Sequence, residues 1–128
     1  MRALIDTHAF VWWVTDNPRL SARARAFLAS EDNEICVSAV VAWELATKVR
    51  LGKWSEALPI ATNIATVIEE NSFTPLAVTI EHARTAGFLA GRHGDPFDRM
   101  LAAQSQVEGI PLVSADPAFD TLGTPVMW

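Results

Sequence analysis

The first thirteen residues, MRALIDTHAFVWW (1–13), contain a short apolar segment, then an acid, then an apolar segment with two tryptophans. Residues 3–6 have the character of a buried β-strand, and Asp6 stands at its end. A carboxylate beside this much apolar surface is costly unless it is paired or hydrogen-bonded. Asp6 therefore either caps a helix that begins near Thr7 or belongs to a site that holds a cation. The positions of the other acids bear on this choice.

The composition predicts one globular domain that spans residues 1–128. Half of the residues are apolar and 20% are charged, which is typical of a chain with a proper core. The single cysteine, Cys36, allows no disulfide within the chain, so we expect a cytoplasmic protein. No signal peptide or membrane-spanning run is visible, so no membrane association is expected. The net charge of −5 argues weakly against a nucleic-acid binder, although basic residues cluster at 19–25 and 48–53.

Short apolar runs alternate with helical patterns along the chain. Strands are predicted at 3–6, 34–38, 76–79, 111–115 and 124–128. Helices are predicted between them, with caps at Ser21, Thr79 and Asp95, a start at Pro59, and ends at Gly52, Gly91 and Gly109. The near-continuous apolar character of the strands is typical of a parallel sheet covered on both faces. The pattern predicts an α/β fold, a three-layer α/β/α sandwich with a central, mainly parallel sheet.

Four acids share one predicted edge of this sheet. Three follow a strand or lie in the first turn of a helix, and the fourth lies about a turn and a half into a helix; they are Asp6, Asp98, Asp116 and Glu44. In parallel α/β sheets these positions meet at the edge where ligands bind. Clustered carboxylates repel each other, and hard cations such as Mg²⁺ or Mn²⁺ relieve the repulsion. A metal-bound water can then attack phosphorus, so the pattern indicates phosphoester chemistry.

Each acid also has an ordinary structural interpretation. Asp6 and Asp95 are good helix caps, and Glu44 can form an ion pair with the lysine one turn later. Asp116, which precedes a proline, is typical of a turn. For Asp98, a role near the positive end of a helix dipole is compatible with metal binding. The joint placement of the acids, more than any one of them, favours a site.

Four segments together resemble PIN-domain proteins of the VapC toxin type. They are LIDTHAFVWW (4–13), SAVVAWELATKVRLGK (38–53), HGDPFDRMLAAQSQ (93–106) and PLVSADPAFD (111–120). The resemblance covers essentially the whole chain, and the joint pattern is specific. It implies an Mg²⁺- or Mn²⁺-dependent endoribonuclease, the toxin of a toxin–antitoxin pair. Hydrolysis of RNA by metal-activated water, leaving 5′-phosphate and 3′-hydroxyl ends, is the reaction it implies.

The resemblance also implies roles for individual residues and partners. It makes the four acids, Asp6, Glu44, Asp98 and Asp116, the metal-binding and catalytic residues. It places Thr7 and Ser114 as small hydroxyl residues that support them, with the part of Asp95 left open. The implied partners are an RNA substrate, a second copy of the chain in a homodimer, and a small antitoxin bound across the first helices. The antitoxin is expected to offer a basic side chain to the acids.

The aromatic residues and histidines leave several interpretations open. Adjacent helical residues point about 100° apart, so Trp12 and Trp13 cannot both face the same core. One of them either meets a partner or groove, or packs against a neighbouring helix. His8 either supports the site or contacts a base or phosphate. No two histidines have the spacing of a zinc site.

Two rival functions share these features. The first is a metal-dependent phosphohydrolase with another substrate, such as DNA or a small phosphoester. The second is a non-catalytic module that uses the same fold to bind RNA or a partner. The intact set of acids argues against the second rival.

Overall fold

The computed structural model describes all 128 residues, Met1–Trp128. Five strands form one sheet: β1 (Arg2–Ile5), β2 (Glu34–Ser38), β3 (Thr74–Leu76), β4 (Leu112–Val113) and β5 (Val126–Met127). Seven α-helices surround it: α1 (Thr7–Val14), α2 (Ala22–Ala29), α3 (Ala39–Arg50), α4 (Leu58–Thr62), α5 (Ile64–Glu70), α6 (Ile80–Phe88) and α7 (Pro96–Glu108). Short 3₁₀ helices occupy Ser55–Ala57 and Pro117–Leu122.

All neighbouring strands are parallel, in the order β3-β2-β1-β4-β5. The central strand β1 pairs on both sides, so that Leu4 lies opposite Cys36 on one side and Leu112 on the other. Successive residues Ala3, Leu4 and Ile5 are all fully buried, which requires cover on both faces of the sheet. The predicted α/β sandwich with a parallel sheet is confirmed.

The caps place the helices largely as the sequence predicts. The Ser21 hydroxyl accepts a hydrogen bond from the Ala24 amide at the start of α2. The Asp95 carboxylate caps α7, and Gly109 ends that helix with a φ of 65°, a left-handed conformation that glycine adopts freely. The predicted bounds of these two helices are confirmed, because a helix cap depends on residues that are close together in the sequence.

Other predicted bounds are wrong. The third strand lies at Thr74–Leu76 rather than 76–79, because Thr79 caps α6 instead of extending the sheet. The helix predicted to run from Pro59 is two helices, α4 and α5, separated at Asn63.

Four further elements end earlier than predicted. The first strand ends at Ile5, since Asp6 already caps α1. The fourth and fifth strands contain only two residues each. Helix α6 ends at Phe88 rather than at Gly91, the predicted end, because the backbone leaves the helical conformation at Leu89. None of the helices is long and apolar enough to cross a membrane.

Candidate active site

Asp6 combines both of the roles considered for it. Its Oδ1 accepts a hydrogen bond from the Ala9 amide at 2.8 Å and so caps α1, and its Oδ2 accepts one from the Ser114 hydroxyl. The side chain is nevertheless only 5% exposed and contacts no cationic group. Burial raises the pKa of Asp6 to about 7, and the negative charges of Asp98 and Glu44 add to this rise. The capping interpretation is therefore correct, and the buried charge still lacks a counter-ion.

Glu44 is buried in the second turn of α3, at 3% exposure. Its Oε1 accepts a hydrogen bond from the Thr7 hydroxyl at 2.5 Å, and its Oε2 accepts one from the Lys48 ammonium. The ion pair with the lysine one turn later is therefore present, as the structural interpretation predicted. In an ion pair on an exposed helix surface both groups face solvent, whereas the Glu44 carboxylate is buried and is hydrogen-bonded to Thr7 of α1.

Asp98 lies in the first turn of α7, where Asp95 organises the backbone. The Asp95 carboxylate accepts hydrogen bonds from the Phe97 amide at 2.8 Å and the Asp98 amide at 3.3 Å. The Asp98 Oδ2 lies 2.6 Å from Nε2 of His93, in the loop before the helix. Burial raises the pKa of Asp98, and the negative charges of Asp95 and Glu44 raise it further, while the His93 contact lowers it.

His93 is the site residue that sequence reasoning missed. It lies five residues before Asp98, and the Asp95–Pro96 turn folds it back over the start of α7. A histidine that precedes a Gly-Asp-Pro turn and a first-turn acid was the available signal.

Asp116 lies at the exposed rim of the site. Its carboxylate accepts a hydrogen bond from the Ala118 amide at 2.9 Å and caps the 3₁₀ helix, in keeping with its turn interpretation. Its own amide donates to the Ser114 hydroxyl at 3.0 Å, and that hydroxyl in turn donates to Asp6. One serine therefore joins the acid at the end of β1 to the segment that follows β4.

The structure brings Asp6, Glu44 and Asp98 close enough for their charges to act on one another. In this arrangement no three histidine, cysteine or acidic side chains are positioned to hold a metal ion together. Lys48 and His93 contact two of the acids instead.

The chemistry of the donor set nevertheless fits a hard divalent cation. All of the clustered acids offer oxygen ligands, which Mg²⁺ and Mn²⁺ prefer. Asp6 is a buried carboxylate with no positive partner, which is the environment that a bound cation would stabilise. Asp6, Glu44 and Asp98 are the residues that could hold such an ion, with Asp116 at the rim.

The two adjacent tryptophans face different surroundings. Trp13 packs against Phe73 with ring centroids 6.1 Å apart, and its indole nitrogen donates to the Asn71 side chain at 3.0 Å. Trp12 contacts the rings of His8 and Trp128, each at 5.9 Å. Trp12 therefore lies on the same side of α1 as His8, while Trp13 packs against Phe73 on a different side of the helix.

Comparison with known proteins assigns this chain to a family. The model of the PIN domain matches residues 3–124, so the chain belongs to the PIN-domain family. It is 30% identical over 114 residues to Ribonuclease VapC22 of Mycobacterium tuberculosis. The aligned region covers 88% of this chain and 85% of that protein. This similarity places it among the VapC-type members, as the sequence pattern indicated.

Solved structures show the same fold. VapBC2 from Rickettsia felis, bound to a DNA fragment from its promoter, is similar with a TM-score of 0.71 at 18% identity, over 99% of this chain and 98% of that one. VapC20 of Mycobacterium tuberculosis, described as a sarcin–ricin loop cleaving toxin, is similar with a TM-score of 0.63 at 21% identity, over 95% of each chain.

Proposed function

We propose that this VapC-type protein is a metal-dependent endoribonuclease, the toxin of a VapBC-type toxin–antitoxin pair. The observation that carries the proposal is the Asp6 carboxylate, which is buried at the carboxyl edge of the sheet and has no cationic partner. The negative charges of Glu44 and Asp98 lie close enough to raise its pKa. The relative that is 30% identical is named a ribonuclease, and this supports RNA as the substrate.

The chain's own residues would divide the work of hydrolysis. Asp6, Glu44, Asp98 and Asp116 would hold Mg²⁺ or Mn²⁺, and the bound ion would supply an activated water and offset charge on the phosphate. Thr7 orients the Glu44 carboxylate, and Ser114 orients that of Asp6. Asp95 shapes the first turn of α7 and so positions Asp98.

The proposed protein partners are a small antitoxin and a second copy of this chain. The similar structure from Rickettsia felis is a VapBC complex, which supports an antitoxin partner here. A basic side chain of the antitoxin would find an unpaired buried carboxylate at Asp6. In the structure, Lys48 already contacts Glu44 in this way from within the chain.

Cleavage of total cellular RNA by the purified, antitoxin-free protein tests the proposal. We expect discrete fragments with Mg²⁺ or Mn²⁺ and none with chelator. Asp6→Asn is expected to abolish them, whereas Asp32→Asn, an exposed acid outside the site, is expected to leave them unchanged. Absence of cleavage with either metal would favour the binding module. Cleavage of only DNA or small phosphoesters would favour the other phosphohydrolase.

A further inference from the structure

A concave surface opens beside the acids. It is a cavity of about 560 Å³ between α1, the loop that follows it, the end of α3 and the segment before α4. The side chains that decide its character are His8, Trp12, Trp54, Arg19, Lys48 and Lys53. We call it the aromatic–basic pocket.

The aromatic wall of the pocket is held in place by its own contacts. The His8 ring stacks on Trp54 with centroids 4.7 Å apart and planes 27° apart. The Trp12 ring contacts the His8 ring edge-to-face with centroids 5.9 Å apart, and it contacts the Trp128 ring in the same way at the same distance. His8 is nevertheless exposed, although its partly desolvated position lowers its pKa. The pocket therefore presents an exposed aromatic ring that its neighbours hold in place.

The charge of the pocket is opposite to that of the chain. Arg19 and Lys53 line it without a salt-bridge partner, Lys48 lines it but is paired with Glu44, and Glu56 is its one carboxylate. The whole chain carries a net charge of −5, so this local excess of cations is a distinct feature of the surface. An anionic ligand is favoured here although the protein as a whole would repel it.

The pocket adjoins the acids at Lys48. His8 follows Asp6 by two residues on α1, and the charges of Glu44 and Asp116 act on its imidazole. Lys48 lines the pocket and also donates to Glu44, so its ammonium lies on the border between the two. A chain bound in the pocket would pass directly to the acid cluster.

We propose that the aromatic–basic pocket is a nucleotide subsite, which holds one nucleotide of single-stranded RNA next to the phosphate that is cut. The base stacks on the His8–Trp54 pair, and flanking phosphates contact Arg19 and Lys53. Aromatic faces interleaved with cations are the usual means of holding single-stranded nucleic acid. The inference rests on the proposed function for the identity of its substrate.

Binding without cleavage tests the subsite separately from the reaction. The probe is a fluorescently labelled single-stranded RNA of about 12 nucleotides, and its Kd is measured by anisotropy with chelator present. We expect His8→Ala and Trp54→Ala each to raise Kd about tenfold, the effect typical of losing one base stack. His8→Phe, which keeps an aromatic face, is expected to restore most of the affinity.

Salt dependence tests the charged half of the subsite. Arg19→Gln is expected to reduce the slope of log Kd against log salt concentration by about 0.7, because one phosphate contact is lost. Arg23→Gln, an exposed arginine outside the pocket, is the matched control and is expected to leave the slope unchanged.

Two results would overturn the subsite. One is an unchanged Kd in folded His8→Ala and Trp54→Ala proteins, which would assign the pocket to another occupant, such as a protein partner. The other is competition by inorganic polyphosphate as effective as that by unlabelled RNA, which would show attraction by charge without stacking. Since the binding assay involves no cleavage, stacking-dependent RNA binding by a protein that never cuts RNA would refute the proposed function and leave the pocket as a binding site for single-stranded RNA.

Discussion

The Ser114 hydroxyl donates to Oδ2 of Asp6 and accepts from the amide of Asp116, and so joins the ends of the two neighbouring strands β1 and β4. The bond to Asp6 favours the charged carboxylate and lowers its pKa, against the larger effect of burial. A small hydroxyl at this position therefore helps the acid to remain ionised and oriented.

Replacing Ser114 by alanine is expected to weaken Mn²⁺ binding about tenfold at neutral pH, because Asp6 loses its orienting partner and its pKa rises. Raising the pH is expected to recover part of the loss, since the carboxylate ionises again. A Mn²⁺ titration at several pH values measures both effects. Ser55→Ala, a change at an exposed serine, is the control. Equal affinity in the Ser114→Ala and wild-type proteins would contradict this role.

The buried charge of Asp6 predicts how the metal-free protein responds to pH. Its pKa is about 7 in the fold and 3.8 ordinarily, so the folded state holds the proton more tightly. Stability is therefore highest at low pH for this group and falls as the pH rises towards and through about 7. Asp6→Asn removes this dependence while keeping a cap residue.

At about pH 8 with chelator, Asp6→Asn is expected to be more stable than the wild type by a few kcal/mol, since one pKa unit corresponds to about 1.4 kcal/mol. The gap is expected to close towards about pH 4. Urea unfolding across this range measures it, and Mg²⁺ is expected to stabilise only the wild type. A less stable Asp6→Asn protein at the higher pH would show that the carboxylate is already compensated.

The Glu44–Lys48 pair predicts a contrast between buried and exposed ion pairs. Lys48→Met leaves the Glu44 carboxylate inside the fold without its cation and is expected to cost about 1–3 kcal/mol in metal-free protein. Adding Glu44→Gln to Lys48→Met is expected to recover much of that loss, which a double-mutant cycle quantifies. Arg84→Met breaks the exposed pair with Glu81 and is expected to leave stability nearly unchanged, because solvent screens the two charges. Equal effects at the two pairs would refute the contrast.

The edge of the sheet that carries the acids was predictable because it depends on short-range signals. Apolar runs marked β1, β2 and β4, and Ser21 and Asp95 marked helix starts. Asp6 and Asp116 follow two of these strands and Asp98 lies in the first turn of α7, so the parallel topology was enough to predict that they share one edge of the sheet.

The errors arose where tertiary contacts decide. Residues 76–79 are as apolar as a strand, yet the register of β3 against β2 pairs Thr74 with Cys36 and leaves Thr79 to cap α6. The contact of His93 with Asp98 depends on a turn and on side-chain placement, and the aromatic–basic pocket joins segments far apart in sequence. Periodicity carries no information about such contacts.

Substitutions of Asp95 distinguish its role as the cap of α7 from a direct role in RNA cleavage. Asp95→Ser keeps a capping oxygen and is expected to retain stability and RNA cleavage, whereas Asp95→Ala is expected to lose about 1 kcal/mol of stability. Removing the Asp95 charge also removes one cause of the raised pKa of Asp98, so the serine variant is expected to bind Mn²⁺ at slightly lower pH. Unfolding curves, cleavage rates and a Mn²⁺ titration measure the three effects. Cleavage lost in Asp95→Ser as completely as in Asp98→Asn would instead make Asp95 one of the residues that act on the substrate.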